Sequence, residues 1–142
     1  MRPGVTIERV ATLDPAMVAH CDFSTDPSRG AYPFDSAFAS PRSGRLIAVV
    51  RVDGRVAGYV ACSSDGASAE VRRIEIDRGH RSQGLGRRLL DEARDWASAT
   101  GLSALRLETH GNNAVAGRFF GRYGFTPIRQ ADALHWRMPL PI

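Results

Sequence analysis

Residues 70–90 read EVRRIEIDRGHRSQGLGRRLL, and the reading of this stretch decides the fold. Its first part, Glu70 to Ile76, has the apolar alternation and β-branched content of a strand. Its last part opens an amphipathic helix, since Leu85, Leu89, Ala93, Trp96 and Ala97 recur at helical spacing opposite Arg87, Asp91, Arg94 and Asp95. Between them lies a polar turn with two glycines one residue apart and arginines at 81, 87 and 88. A strand that enters a helix through such a turn aims several unpaired backbone N–H groups in one direction, and the helix dipole adds partial positive charge. That combination favours an anion, most often a phosphate. Gly84 and Gly86 are expected to let the backbone approach the ligand, and Arg81, Arg87 and Arg88 to add charge-assisted hydrogen bonds at the rim.

Upstream, RLIAVVRV (45–52) and RVAGYVACS (55–63) flank Asp53-Gly54, a strong hairpin signal. Asp65-Gly66 supplies a second turn into the strand at 69–77, so three antiparallel strands in a meander are expected. VTIERV (5–10) alternates as a further strand, and Thr12 or Asp14 should cap a helix carrying Pro15 and ending near Cys21. Residues 22–41 are irregular, with one short helix expected over 35–39. Thr100-Gly101 closes the helix that opens at 85. Beyond it, LSALRLET is a strand, NAVAGRFFGRY a short helix, and FTPIRQ and ALHWRMP two closing strands. The strand–helix–strand unit over 70–109 makes its two strands parallel neighbours. The expected fold is therefore α/β: a mixed, mostly antiparallel sheet of six to seven strands, flanked by about four helices, with one parallel pair.

Composition narrows the functional classes. At 142 residues the chain fits one domain, with 43% hydrophobic and 24% charged residues as in ordinary globular proteins. No apolar run approaches the roughly 18 residues of a membrane span, and the amino terminus has no signal-peptide core, so a cytoplasmic address with no membrane partner is expected. The net charge of +4 comes entirely from arginine, spread along the chain without dense runs or interleaved aromatics, which argues against nucleic acid. Cys21 and Cys62 have no metal or redox spacing and read as small buried hydrophobes. Four scattered histidines offer no zinc site, so no metal is expected.

A Walker phosphate loop requires a lysine, and the chain has none. A dinucleotide fingerprint is matched in part, with Gly84-x-Gly86 opening a helix and Glu108 at the end of the next strand. Against it, the third glycine position holds Leu89 and the motif follows a hairpin meander. A different resemblance accounts for more residues. Arg81-x-x-Gly84-x-Gly86, after an apolar strand and opening a helix, resembles the acyl-CoA pyrophosphate motif of the GNAT superfamily of N-acetyltransferases. The strand Glu70–Ile76, the strand ALRLET, and Asn113-x-x-Ala116-x-x-Phe119-Phe120-x-x-Tyr123-Gly124-Phe125 are similar to the family's neighbouring segments in the same order, so the likeness runs from about residue 44 to 126.

The resemblance implies acetyl-CoA as co-substrate, its pyrophosphate cradled by backbone amides of Arg81, Ser82, Gln83, Gly84, Leu85, Gly86 and Arg87. It further implies main-chain contacts from Ile74, Glu75 and Ile76 to the pantetheine arm, pairing like an added strand, with Asn113 and Phe120 completing the coenzyme-binding set. Glu70 matches a strand glutamate that serves as base in some members; the alternative is a surface carboxylate paired with an arginine. His110, at the end of the parallel strand, is the second candidate for base or proton relay. Glu75 departs from the aromatic or aliphatic residue usual in the family, and in a regular strand lies on the opposite face from Glu70, unless a bulge intervenes. Phe120 stands where many members carry the tyrosine that protonates the thiolate, and Tyr123 points elsewhere on the helix. The implied activity is N-acetylation of a primary amine on a small molecule, amino acid or peptide; the alternative is a non-catalytic acyl-CoA sensor. The 22–41 segment, with Tyr32, Phe34, Phe38, Asp22, Asp26 and Asp35, is expected to wall the acceptor pocket, its acidic residues either attracting a cationic amine or lying solvated. A monomer or homodimer is expected.

Overall fold

The Asp53-Gly54 turn puts both central residues at positive φ (51° and 86°), the backbone that a two-residue hairpin between right-twisted strands demands. In a computed structural model of the chain, which describes residues 4–23, 44–110, 114–130 and 133–141, this turn joins β2 (Arg45–Val52) to β3 (Arg55–Ser64). Gly66 makes the next turn into β4 (Ala69–Ile76). β1 (Val5–Arg9) extends the meander on the far side of β2. Then follow α1 (Leu85–Ala99), β5 (Ala104–His110), α2 (Ala114–Tyr123), β6 (Thr126–Gln130) and β7 (Ala133–Pro139). The seven strands form one sheet in the order β1-β2-β3-β4-β5-β7-β6, antiparallel except for the β4–β5 pair.

The sheet is covered on both faces where the hairpin crosses it, which explains the unbroken burial of Leu46 to Val50 and Val56 to Cys62. On one face α1 lays down Leu85, Leu89, Leu90, Ala93 and Ala97 against Ala48, Val50, Val60, Cys62 and Leu105. On the other, residues 13–23 pass over the hairpin, with Leu13 and Val18 buried against Ile47, Val49, Val56 and Tyr59. The helix expected after Asp14 is a single 3-10 turn, Pro15–Val18, in which the Asp14 side chain accepts from the Ala16 amide at 3.0 Å. Its brevity has a tertiary cause. The His20 ring donates to the Val56 carbonyl at 2.7 Å and the Cys21 thiol donates to the same oxygen, tying the chain to the sheet before a second turn can form. The short helix expected over 35–39 lies outside the described residues.

Two bulges shape the centre of the sheet. Val50 pairs with Gly58 and Arg51 with Val56, so Ala57 is an extra residue on β3. Ala61 pairs with Arg73 and Cys62 with Val71, so Arg72 is an extra residue on β4. The second bulge reverses the alternation along β4. Glu70 is opposite Ser63, and Glu75 is opposite Tyr59; these β3 partners are four residues apart and share one face. Glu70, Arg73 and Glu75 therefore all face the side covered by residues 13–23, while Ile74 and Ile76 pack toward the α1 side.

Candidate active site

After Ile76 the chain makes a one-turn 3-10 helix, Arg78–His80, runs extended through Arg81, and reaches positive φ at Ser82 (64°) and at Gly84 (78°). Gly84 is the N-cap of α1 and supplies no side chain to cap it, and the first turn carries no acidic residue. The leading amides of α1 thus retain their affinity for an anion, beside the exposed Arg87 and Arg88. A Cβ on Gly84 would meet nothing within 4 Å, so glycine is required there by the left-handed backbone. Gly86 has a different cause. A Cβ on it would stand 3.0 Å from the Phe119 ring, so the space it leaves is filled by α2 packing onto α1.

Arg81 points its Nε toward the Ile76 carbonyl at 3.4 Å, folding the turn back over the end of β4. There the sheet opens. β4 pairs with β3 throughout, but with β5 only at Ala69 opposite Leu105 and Glu70 opposite Arg106. β5 pairs with β7 over seven positions, from Ala104 to His110, and beyond Arg106 it pairs with β7 alone among the described strands. The two parallel strands part, and the wedge between them opens toward the end of β4 from which the chain turns into α1.

Glu70 stands where the wedge begins, half exposed, with one carboxylate oxygen 3.8 Å from Arg72. It also lines a cleft of about 200 Å³ with Arg106, Glu108, Ile128, His135 and Arg137, on the sheet face away from α1. Arg106 is committed within the fold, donating to the Ser68 hydroxyl at 2.6 Å and to Asp65 at 3.3 Å. Glu108 and His135 approach to 3.9 Å across the β5–β7 ladder. Ile128, 55% exposed, gives the cleft an apolar wall. Further along β4, Tyr59 is buried with its hydroxyl bonded to Arg73. Burial pushes the Tyr59 phenol well above its ordinary value, and the neighbouring Glu75 carboxylate adds to the effect.

The structure brings some of the sequence-derived residues together and separates others. Residues 81–87 do form a strand-to-helix turn, with Ile74, Glu75 and Ile76 on the strand that leads to it. His110 ends β5 opposite Ala133 in the ladder. Asn113 lies outside the described residues, as do Asp26, Tyr32, Phe34, Asp35 and Phe38. Phe120 is buried in an aromatic cluster with Phe119, Phe125 and Trp136, ring centroids 5.2 to 6.3 Å away. The Tyr123 hydroxyl is engaged elsewhere, donating to Asp91 of α1 at 2.7 Å. Cys62 is fully buried, and Cys21 is half-buried with its thiol pushed up to about 11, chiefly by burial; neither has the environment of a nucleophile. No metal-binding group of His, Cys, Asp or Glu exists among the described residues. Sequence reasoning left out the cleft residues His135 and Arg137, and weighed Glu108 only as the acid of a dinucleotide fingerprint. Their signal was only the alternation of polar residues along two strands, which any solvated sheet face shows.

The geometry has counterparts among known proteins. The model of the Acetyltransferase (GNAT) family matches residues 15–125. An IAA acetyltransferase from Azospirillum brasilense is 33% identical over 132 residues, covering 87% of this chain and 85% of that protein. A streptothricin acetyltransferase from Streptomyces lavendulae is 31% identical over 121 residues, covering 75% of this chain and 64% of that protein. Among solved structures, the PaiA N-acetyltransferase of Thermoplasma acidophilum, in complex with coenzyme A, superposes with a TM-score of 0.78 at 17% identity, over 96% of this chain and 99% of that one.

Proposed function

Because this chain belongs to the Acetyltransferase (GNAT) family, we propose that it transfers the acetyl group of acetyl-CoA to a primary amine of a small molecule, amino acid or peptide. The observation that carries this reading is the wedge between β4 and β5, which opens toward the end of β4 that leads into α1, whose N-cap, Gly84, has no side chain to cap it. A pyrophosphate suits the amides of residues 81–87. An extended arm suits the stretch of β4 from Ile74 to Ile76, by strand addition. When bound, acetyl-CoA supplies the activated acyl group.

The remaining work falls to the chain. The acceptor ammonium must lose a proton, and Glu70, at the closed end of the wedge and on the lining of the cleft, is the carboxylate we assign to receive it, directly or through one water. Amides along Ile74–Ile76 suit the oxyanion that forms as the amine attacks the thioester; when it collapses the C–S bond breaks and coenzyme A would leave as the thiolate, protonated from water. Glu70 and Glu108 are the carboxylates a cationic amine would meet in the cleft, which Arg106 and Arg137 also line.

A coenzyme A release assay over a panel of primary amines, with acetylated product identified by mass spectrometry, tests the reading. Turnover of at least one amine is expected, with Glu70→Gln lowering kcat on the order of 100-fold, as for loss of a general base. Unchanged kinetics of that variant across pH would remove Glu70 from the role. A second reading is favoured by Phe120, which has no proton to give and is buried in an aromatic cluster. On that reading the domain binds acyl-CoA without turning it over, and tight binding with no release on any amine is its signature.

A further inference from the structure

The turn that bears the anion site has to be held in a backbone of two successive departures, the positive φ of Ser82 and of Gly84. What holds its root is a carboxylate that motif reasoning passes over. Asp77, the first residue after β4, accepts the Asp22 amide on Oδ1 at 2.7 Å and the His80 ring Nδ1–H on Oδ2 at 2.9 Å. Its own amide donates to the Ala57 carbonyl at 2.7 Å, and its carbonyl accepts the His80 amide at 2.8 Å. Arg78 completes the junction, its amide donating to the Asp22 carbonyl and its Nε to the Asp22 carboxylate, both at 2.9 Å.

The carboxylate of Asp77 is largely covered, 17% exposed, whereas the Arg78–Asp22 side chains are about two-thirds exposed, so Asp77 is the stronger link. The Asp22 amide first, and His80 after it, hold the Asp77 carboxyl below the usual carboxylate range. On the other side of the junction, residue 22 continues the chain that covers the sheet face shared by Glu70 and Glu75. Phe23 meets the Tyr59 ring edge-on at 5.3 Å, and Leu13 and Val18 are buried there.

We infer that Asp77 is the positioning residue of the coenzyme turn, and that through Asp22 it makes binding at the turn and ordering of residues 18–23 over the opposite sheet face one energetic event. This rests on the coenzyme-binding reading of the turn. The coupling is reciprocal: whatever coenzyme does to tighten residues 18–23, tightening of those residues does for coenzyme.

Coenzyme A itself is the probe, titrated calorimetrically into the full chain and followed in parallel by amide hydrogen exchange. In the wild type, coenzyme A should slow exchange at Cys21 and Asp22 as well as at residues 84–88. Asp77→Ala should weaken coenzyme A roughly tenfold or more, the scale of a charge-assisted hydrogen bond, and confine the protection to 84–88. Asp77→Asn retains an acceptor for the Asp22 amide and should stay within a few-fold of wild type, a rescue that a general loss of stability would not give. The inference is overturned if Asp77→Ala binds coenzyme A normally, or if wild-type protection stops short of Asp22. Should Asp77→Ala not fold, the Asn variant and the wild-type exchange pattern decide. A wild type that binds no coenzyme A at all overturns the coenzyme reading itself, a result distinct from binding that survives the Ala substitution.

Discussion

Tyr123 and Phe120 sit three residues apart on α2 and divide between them two roles that one tyrosine would combine. Phe120 has the burial without the hydroxyl. Tyr123 has the hydroxyl, spent on Asp91, with the Arg94 guanidinium 5.9 Å from its ring. Burial first, and then the bond to Asp91, push this phenol well above its ordinary value, the opposite of what a proton donor at neutral pH requires. Tyr123→Phe should therefore cost about 1 kcal/mol of stability for one half-buried hydrogen bond, and leave amine-dependent coenzyme A release within twofold of wild type. A drop of 100-fold in release at unchanged folding would instead make Tyr123 the acid. Much at this scale was legible in the sequence, because glycines, prolines and arginines announce their positions by type. What Gly86 is for was not legible. Its spacing suggested a ligand, and only the fold brings the Phe119 ring to 3.0 Å from where its Cβ would be.

At the scale of elements, the bulge at Arg72 does most to define the site. It brings Glu75 onto the face of Glu70 and sits on the strand that parts from β5. Nothing in EVRRIEI marks it, since a bulge is set by the register of two strands and not by the composition of one. The strands themselves, the parallel pair and the α1 boundaries were readable from alternation, turn residues and the glycine after Thr100. The N-terminal helix was not, because its length is limited by contacts to Val56, remote in sequence. The partner bulge on β3 has its own requirement. A Cβ on Gly58 would lie 2.6 Å from the Glu75 carbonyl oxygen and 2.7 Å from Ile76 Cδ1, so β3 and β4 approach too closely there for any side chain. Gly58→Ala should cost about 1–3 kcal/mol in urea unfolding. It should also weaken coenzyme A binding, since the backbone that must yield is that of Glu75 and Ile76. A variant of normal stability would show that the approach is looser than the register implies.

For the molecule as a whole, the two packed faces enclose groups that resist ionisation, and this fixes how stability depends on pH. Cys62 lies in the α1-side core, and Tyr59 in the core beneath residues 13–23. Burial raises the pKa of both well above the ordinary 9.0 of a thiol and 10.0 of a phenol. Cys21, raised to about 11, and Tyr123 add to the effect from half-buried positions. Each group keeps its proton longer in the folded chain than in the unfolded one. Above the unfolded value the unfolded state therefore binds fewer protons, and stability falls as pH rises. The contribution is fully present below about pH 9 and is lost as pH climbs through the raised folded values. For Cys62 and Tyr59 the loss approaches about 1.4 kcal/mol per pH unit each once their unfolded forms are ionised; for Cys21 and Tyr123 it is smaller, because water still screens them. Urea unfolding between pH 7 and 11 should show a shallow dependence up to about pH 9 and a steepening decline above it. Cys62→Ala should reduce that slope, even though the smaller side chain lowers stability at pH 7. A slope above pH 9 that is the same with and without the Cys62 thiol would mean that water reaches the α1-side core, contrary to the packing of Leu89, Leu90 and Leu105 around it.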